Sequence, residues 1–286
     1  MRICTGLIAL MLLTGCQSQS TSKSPVSPPS DNIQPPTPVQ NVSYGQVLEQ
    51  PHVPADARLR YGSDPLQFGE LWLPEAGEHP APLVVFVHGG CWLNQFDLTH
   101  SYPAASALQQ QGFAVWSIEY RRTGDTGGGW PGSLQDIVQA IEFIQTQQQY
   151  QIDSSSISLV GHSAGGHLAL LASKQLNTPV DKVIGLAPII DIERYARGEN
   201  SCQAATAQFM GGTPNQRVRQ YAQANPMNFS YDGTVAILTG GQDQIVPLPE
   251  NPLPATQFVS ISGAGHFDWV HPGTLAFSYF VDLLEK

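Results

Sequence analysis

Short apolar runs that alternate with helix-like segments constrain the fold of this chain more than any other feature. The run PLVVFVHGG is apolar throughout until its closing His-Gly-Gly, which is typical of a strand buried on both faces of a parallel sheet. Helical spacing follows, as in Leu134, Ile137 and Ile141. The alternation predicts an α/β fold with a mostly parallel central sheet and helices on both faces. The predicted strands are residues 59–62, 66–74, 82–90, 114–120, 156–163, 182–190, 235–241 and 256–263.

Size and charge exclude several classes of protein. The 286 residues, 41% of them hydrophobic, suffice for one sizeable core. The net charge is −10, and no basic run is longer than Arg121-Arg122, so a nucleic-acid partner is not expected. The sequence also lacks a G-x-x-x-x-G-K-[ST] phosphate loop. No metal-binding motif accompanies His162 or His167, and we expect neither a metal nor another cofactor.

The N-terminal residues are predicted to be a targeting segment and a tether. Residues 3–13 are apolar but too few to span a membrane, which takes about 20 residues. The sequence LTGC resembles the bacterial lipoprotein box, which implies cleavage before Cys16 and lipidation of that residue. An ordinary secretory signal with a coincidental Cys is the alternative. We expect a signal peptide at 1–15, a lipidated Cys16 with a disordered Ser/Pro-rich tether at 16–43, and a hydrolase domain at 44–286.

This N-terminus predicts an exported bacterial lipoprotein. Acyl chains on Cys16 would anchor the protein to a membrane without crossing it, on the periplasmic side or at the cell surface. Gln17, rather than Asp, follows the Cys, which resembles lipoproteins sorted to the outer membrane of Gram-negative bacteria.

Ser163 is a candidate nucleophile. It lies in a G-x-S-x-G pattern, Gly161 to Gly165, where a predicted strand meets a predicted helix. This is the context of a nucleophile elbow, a tight turn that exposes the serine side chain. In a glycine-rich chain the pattern alone is weak, and its meaning depends on the motifs around it.

An activated serine needs a base and an acid that orients the base. In hydrolases of this kind the chain order is Ser, acid, His, each directly after a strand. Asp243 and His266 follow Ser163 in that order, and each stands just beyond a predicted strand. Asp191, after the preceding strand, is an alternative acid. Asp268 is too close to His266 in sequence to be the usual one.

The motif HGGCW, residues 88–92, follows an earlier strand and is independent of the other two motifs. Its glycines allow backbone N–H groups to face a substrate oxygen. Together with the N–H of Ala164, these groups would form an oxyanion hole.

These three motifs resemble those of α/β-hydrolases of the carboxylesterase type with an HGGxW motif. That group includes lipase/esterase-like enzymes and kynurenine formamidase. The loop EYRRTGDTGGGWPGS is also similar, and the resemblance covers roughly residues 55–286. It implies an α/β-hydrolase fold in which His88 fixes the oxyanion loop. The implied nucleophile, base and orienting acid are Ser163, His266 and Asp243, and the implied oxyanion donors are the backbone N–H groups of Gly90, Cys91 and Ala164.

The expected function is hydrolysis of small-molecule carboxylic esters with small to medium acyl groups. An amidase or formamidase and a serine peptidase could use the same triad, because the fold does not select among these reactions. A non-catalytic, surface-anchored binding protein is a further alternative. The sequence leaves the oligomeric state open.

Other features of the sequence concern the surroundings of the site. Residues 191–232 break the strand–helix rhythm and are predicted to form a small cap insertion. Cys91 and Cys202 could pair, but two independent buried thiols are the favoured interpretation. The aromatic side chains of Trp92, Phe96 and Trp130 could line an acyl pocket or belong to the core.

Overall fold

The computed structural model describes residues 38–231, 234–254 and 256–286. In these ranges, eight strands form one sheet in the order β1-β2-β4-β3-β5-β6-β7-β8. The pairs β1–β2 and β2–β4 are antiparallel, and all other neighbours are parallel. The strands are β1 Ala57–Arg60, β2 Phe68–Trp72, β3 Ala81–Val87, β4 Ala114–Ile118, β5 Ile152–His162, β6 Lys182–Leu186, β7 Val235–Gly240 and β8 Gln257–Ile261.

Helices connect the strands. They are α1 Tyr44–Leu48, α2 Tyr102–Gln110, α3 Gly132–Ile144, α4 Ala164–Ala172, α5 Ile192–Tyr195, α6 Ser201–Phe209, α7 Val218–Ala224 and α8 Leu275–Leu284. Short 3-10 turns occur at Leu98–Ser101, Gln148–Tyr150, Pro226–Asn228 and Asp268–Val270. In the part of the chain that the structure covers, no helix combines the length and the apolar character that a membrane span requires.

Strand β3 shows why its sequence is continuously apolar. Successive side chains of a strand point to opposite faces of the sheet. Leu83, Val85 and Val87 pack in the cluster that contains α3 and α4. Val84 and Phe86 pack in the cluster that contains α2 and α8. Both faces are therefore buried, and no position in the strand is left for a polar side chain.

The predicted fold class is confirmed, with differences at the ends of elements. β6 ends at Leu186, four residues before the end of the predicted strand. Ala187 has φ of 47°, in the left-handed region, which turns the chain away from the sheet. Helices α5, α6 and α7 lie between β6 and β7, inside the predicted cap insertion.

The N-terminal end of the described chain is attached earlier than the predicted tether boundary. The Asp268 carboxylate accepts hydrogen bonds from the backbone N–H groups of Asn41 and Val42, each at 2.7 Å. Val39 forms a parallel bridge with Thr274. Residues that were predicted to end the tether thus belong to the compact unit that begins at Pro38. The predicted signal peptide and Cys16 lie outside the described residues.

Candidate active site

Ser163 stands directly after β5 and before α4. Its backbone has φ of 57° and ψ of −122°, a region that costs a non-glycine residue about 1–3 kcal/mol. Its N–H donates to the carbonyl oxygen of Leu186 at 2.8 Å, which ties the turn to the end of β6. A Cβ at Gly165 would lie 2.1 Å from the carbonyl oxygen of Val87, so only glycine allows α4 to start this close to β3. The sequence thus builds the tight turn that a nucleophile elbow requires.

Asp243 and His266 form a hydrogen-bonded pair. The His266 Nδ1–H donates to Asp243 Oδ2 at 2.7 Å, and both side chains are buried. The other carboxylate oxygen of Asp243 accepts from the N–H groups of Ile245 and Val246, each at 2.8 Å. The carboxylate is therefore held in place, and it fixes the imidazole with Nδ1 protonated and Nε2 available as a base.

The alternative acids have other partners. Asp191 caps α5 by accepting from the N–H of Arg194 and also accepts from the Asn225 side chain at 3.0 Å. Asp268 binds the N-terminal segment, as described above. The structure thus brings Asp243, and neither of these carboxylates, into contact with His266.

The HGGCW loop lies against the serine turn. A Cβ at Gly89 would be 2.8 Å from the carbonyl oxygen of His162 and 3.0 Å from the Cβ of Ser163. Gly90, Cys91 and Trp92 have φ of 106°, 54° and 58°. Within the described chain no hydrogen bond engages the N–H of Gly90 or Cys91. The N–H of Ala164 begins α4, where a helix has no internal acceptor.

Two hydrogen bonds fix the start of this loop. One nitrogen of His88 lies 2.8 Å from the carbonyl oxygen of Gly89, and the other lies 3.1 Å from Glu119 Oε1. The Glu119 carboxylate also accepts from the N–H of Tyr120 at 2.9 Å and from the Arg122 guanidinium at 3.3 Å. This buried polar cluster lies beneath the loop, and its contacts match the fixing role predicted for His88.

A cavity of about 310 Å³ contains both Ser163 and His266. Tyr44, Phe96 and Phe267 form an aromatic wall, since the Tyr44 ring lies 5.8 Å from that of Phe96 and 5.6 Å from that of Phe267. A polar wall comes from the cap and from the loop after β7. Its side chains are Asn200, Ser201 and Gln244. The cavity can therefore hold an apolar group on one side and a group with hydroxyls or amides on the other.

Of the three aromatic residues left open by the sequence, Phe96 lines this cavity. Trp92 belongs to the core and stacks on Phe209 with ring centroids 4.7 Å apart. Trp130 packs edge-on against the same ring, at 6.3 Å. A larger cavity, about 380 Å³, lies beside Arg194 and Glu250 and contains neither Ser163 nor His266.

Two histidines beside the candidate base are held neutral. Burial, together with the positive charges of His266 and His100, lowers the pKa of His162 well below its ordinary value. Burial and the neighbouring His88 lower the pKa of His100 to about 3. His162 Nε2 donates to the backbone carbonyl oxygen of His266 at 3.0 Å. These rings add no charge next to His266, and His162 restrains the backbone on which His266 is carried.

The expectation of two independent thiols is wrong. Cys91 and Cys202 form a disulfide, with their Cα atoms 5.1 Å apart and 111 residues between them in sequence. Both residues line the cavity. Local patterns could not place α6 over the HGGCW loop, so the pairing was not determined by the sequence. The available signal was the presence of two cysteines in a chain expected to be exported.

The contributions of Tyr44, Phe267 and Asn200 were also missed. Tyr44 lies in α1, far from the motifs in sequence, and reaches the cavity because the N-terminal segment is bound to Asp268. Phe267 follows His266 directly, and its ring lies 5.0 Å from the imidazole. Neither residue belongs to a pattern that local sequence could reveal.

Comparison with known proteins agrees with this geometry. Residues 70–253 match the BD-FAE family. The chain is 31% identical over 159 residues to Esterase LipC of Mycobacterium tuberculosis, covering 50% of this chain and 39% of that protein. It is 31% identical over 113 residues to kynurenine formamidase of Drosophila melanogaster, covering 38% of this chain and 35% of that protein. The chain thus spans less than two fifths of the length of these relatives.

A solved structure of a truncated carbohydrate esterase from gut microbiota has the same fold. Its TM-score is 0.67 at 22% identity, and the match covers 81% of this chain and 96% of that one. The match in sequence extends over the strands that carry Ser163 and Asp243, and the match in structure extends over the sheet as a whole. This chain therefore belongs to the BD-FAE family and has the α/β-hydrolase fold.

Proposed function

We propose that this protein is a serine hydrolase that cleaves carboxylic esters of small to medium acyl groups through an acyl-enzyme on Ser163. One observation carries the proposal: the hydrogen-bonded pair of Asp243 and His266 shares a cavity with a serine held in a strained elbow. The family membership and the similarity to LipC, a protein named as an esterase, support it.

In the first step, His266 Nε2 takes the proton of the Ser163 hydroxyl as its oxygen attacks the ester carbonyl carbon. Asp243 keeps Nδ1 protonated and stabilises the imidazolium that forms. The pair is buried, so this charge stabilisation acts in a medium where it is stronger than in water.

The negative charge that develops on the carbonyl oxygen is held by backbone N–H groups of Gly90, Cys91 and Ala164. Loss of one such donor typically lowers kcat about 10²- to 10³-fold. The imidazolium then gives its proton to the departing alcohol. Water, activated by the same imidazole, attacks the acyl-enzyme and frees Ser163.

An amidase or formamidase activity is the second candidate. The similarity to kynurenine formamidase favours it, and the same residues would protonate a departing amine. A serine peptidase and a binding protein without turnover remain the other readings. The cavity is partly apolar and partly polar, which suits an ester with a compact acyl group and a hydroxylated alcohol.

We also propose that the chain is an exported lipoprotein that is anchored through acyl chains on Cys16. The support for this is the sequence LTGC after an apolar run that is too short to span a membrane. The Ser/Pro-rich segment that follows would let the hydrolase domain act at a distance from the membrane surface.

The test is a panel of p-nitrophenyl esters from acetate to decanoate, N-formyl anilides and peptide anilides, assayed with the full chain. We expect the highest kcat/KM on short esters, and we expect Ser163→Ala to abolish turnover and labelling by a fluorophosphonate. Ser173→Ala is the matched control, because this serine ends the same helix and bonds only to the carbonyl of Leu170. Turnover near wild type in Ser163→Ala would overturn the assignment. Higher kcat/KM on the formyl anilides would favour the second candidate.

A further inference from the structure

Helix α6 of the cap contacts the oxyanion loop at both of its ends. In its first turn, Cys202 is bonded to Cys91 through the disulfide. At its last residue, the Phe209 ring stacks on the Trp92 ring with centroids 4.7 Å apart and planes inclined by 10°. The two residues are seven positions apart, which is about two turns, so they lie on the same face of the helix.

The loop residues that α6 contacts have a backbone conformation that they would not adopt alone. Cys91 and Trp92 both have positive φ, in the left-handed region. Such a conformation costs a non-glycine residue about 1–3 kcal/mol and persists only where the surroundings hold it. The N–H of Leu93 donates to Gly90 and that of Thr123 donates to the carbonyl of Trp92. Neither bond engages Cys91, whose covalent partner is on α6.

The same helix is tied to the loop that carries the acid. Asn200 caps α6 by accepting from the N–H of Gln203 at 2.9 Å. Its side-chain amide donates to the carbonyl oxygens of Gln244 and Ile245 at 3.3 and 3.0 Å. These residues directly follow Asp243. Helix α6 therefore links the oxyanion loop to the acid loop across the cavity.

We propose that α6 holds the oxyanion loop in its catalytic conformation, with Cys202 and Phe209 as positioning residues that act through Cys91 and Trp92. This inference rests on the proposed function, because it assigns the backbone N–H of Cys91 to the oxyanion hole. The contacts fix a group that binds the transition state more strongly than the ground state. Their loss lowers kcat and leaves KM nearly unchanged.

The test compares Cys202→Ala, Phe209→Leu and the double variant in the full-length protein. Misplacement of a catalytic group by about 1 Å costs about 10²-fold in rate, so we expect each single variant to lose about 10- to 100-fold in kcat. KM stays within about twofold. The Ki of a trifluoromethyl ketone, which forms a tetrahedral oxyanion on the serine, rises by the same factor as kcat/KM falls.

Two controls separate positioning from general destabilisation. Gln208→Ala changes an exposed residue of α6, next to Phe209 in sequence, and keeps wild-type kcat. Phe280→Leu loosens the core under α8, away from the cavity, and lowers the denaturation midpoint without lowering kcat. If Phe280→Leu lowers kcat as much as Cys202→Ala at a similar loss of stability, the positioning role is refuted.

Reduction provides a version of the test that needs no substitution. Dithiothreitol transfers two electrons and two protons to the Cys91–Cys202 disulfide, giving two thiols and a cyclic disulfide of the reagent. We expect reduction to lower the kcat of the folded wild type and to leave Cys91→Ala/Cys202→Ala unaffected. That double variant should match Cys202→Ala, because both lack the same bond. Wild-type kcat after complete reduction would overturn the proposal.

These outcomes are distinct from a failure of the proposed function. If the wild type hydrolyses no ester or amide of the panel, the hydrolase assignment fails and the role of α6 fails with it. If the wild type is active and Cys202→Ala and Phe209→Leu keep its kcat and its Ki for the ketone, the hydrolase stands and the role of α6 is refuted.

Discussion

Three fully buried histidines make the folded state sensitive to mild acid. Burial lowers the pKa of His100 to about 3 and of His167 to about 4, and lowers that of His162 well below its ordinary value. In the unfolded chain each has a pKa of about 6.5. Between pH 6.5 and 4 the unfolded chain therefore binds more protons than the folded one. Its free energy falls relative to the folded state as the pH falls.

The size of the effect follows from these values. Between pH 8 and pH 5, a histidine that stays neutral when folded lowers the free energy of unfolding by about 2 kcal/mol, since one pKa unit is about 1.36 kcal/mol. His100 and His167 together lose about 4 kcal/mol, and His162 adds about 2 kcal/mol. A loss of about 6 kcal/mol is comparable to the whole stability of many domains, about 5–15 kcal/mol.

Urea unfolding followed by tryptophan fluorescence at several pH values between 8 and 5 measures this loss. Most carboxylates remain ionised at pH 5, so histidine titration dominates this range. His167→Gln tests the cause, because His167 Nε2 donates to the carbonyl oxygen of Ala224 at 2.7 Å and a Gln amide can do the same. We expect this variant to lose about 4 kcal/mol instead of 6 over the same range.

Two results would refute this reasoning. If the wild type has the same free energy of unfolding at pH 8 and pH 5, the three imidazoles are not excluded from protonation in the folded state. If His167→Gln shows the full dependence of the wild type, the buried histidine on α4 does not contribute. A control at an exposed histidine, His52→Gln, should follow the wild-type curve within about 0.5 kcal/mol.

The remaining predictions concern the acid and the membrane anchor. Asp243→Asn should lower kcat about 10⁴-fold because an amide favours the wrong tautomer of His266, whereas Asp191→Asn should remain within about tenfold of wild type. Steady-state kinetics on p-nitrophenyl acetate checks both, and an equal loss in the two variants would contradict the assignment of the acid. Cys16→Ala should abolish incorporation of labelled palmitate and move the protein from the membrane fraction to the soluble one. Unchanged labelling would show that the lipid is elsewhere or that the sequence LTGC is not a lipoprotein box.

Much of the candidate site could be predicted from local sequence, because parallel strands bring their carboxyl ends to one edge of the sheet. Each of Ser163, Asp243 and His266 directly follows a strand, so their meeting at that edge did not require knowledge of the tertiary packing. The glycines around Ser163 carry the same information, since the close approach of α4 to β3 leaves no space for a Cβ at Gly165.

The choice of the acid required the order of the strands. Asp191 and Asp243 both follow apolar strands and cannot be separated by pattern alone. β7 pairs directly with β8, so Asp243 and His266 come from neighbouring strands. Asp191 follows β6, one strand farther away, and its carboxylate is engaged at the start of α5. Adjacency in the sheet, a property of the whole fold, decides which carboxylate reaches the imidazole.

The sequence by itself determined the secondary-structure type of each strand and the order of the chemical groups, because hydrophobic periodicity and turn residues act over a few neighbours. The tertiary structure alone decided what surrounds those groups: the bond between Cys91 and Cys202, and the approach of Tyr44 to the cavity. These contacts join residues far apart in the chain. They depend on how the cap and the N-terminal segment pack over the sheet, which no local pattern encodes.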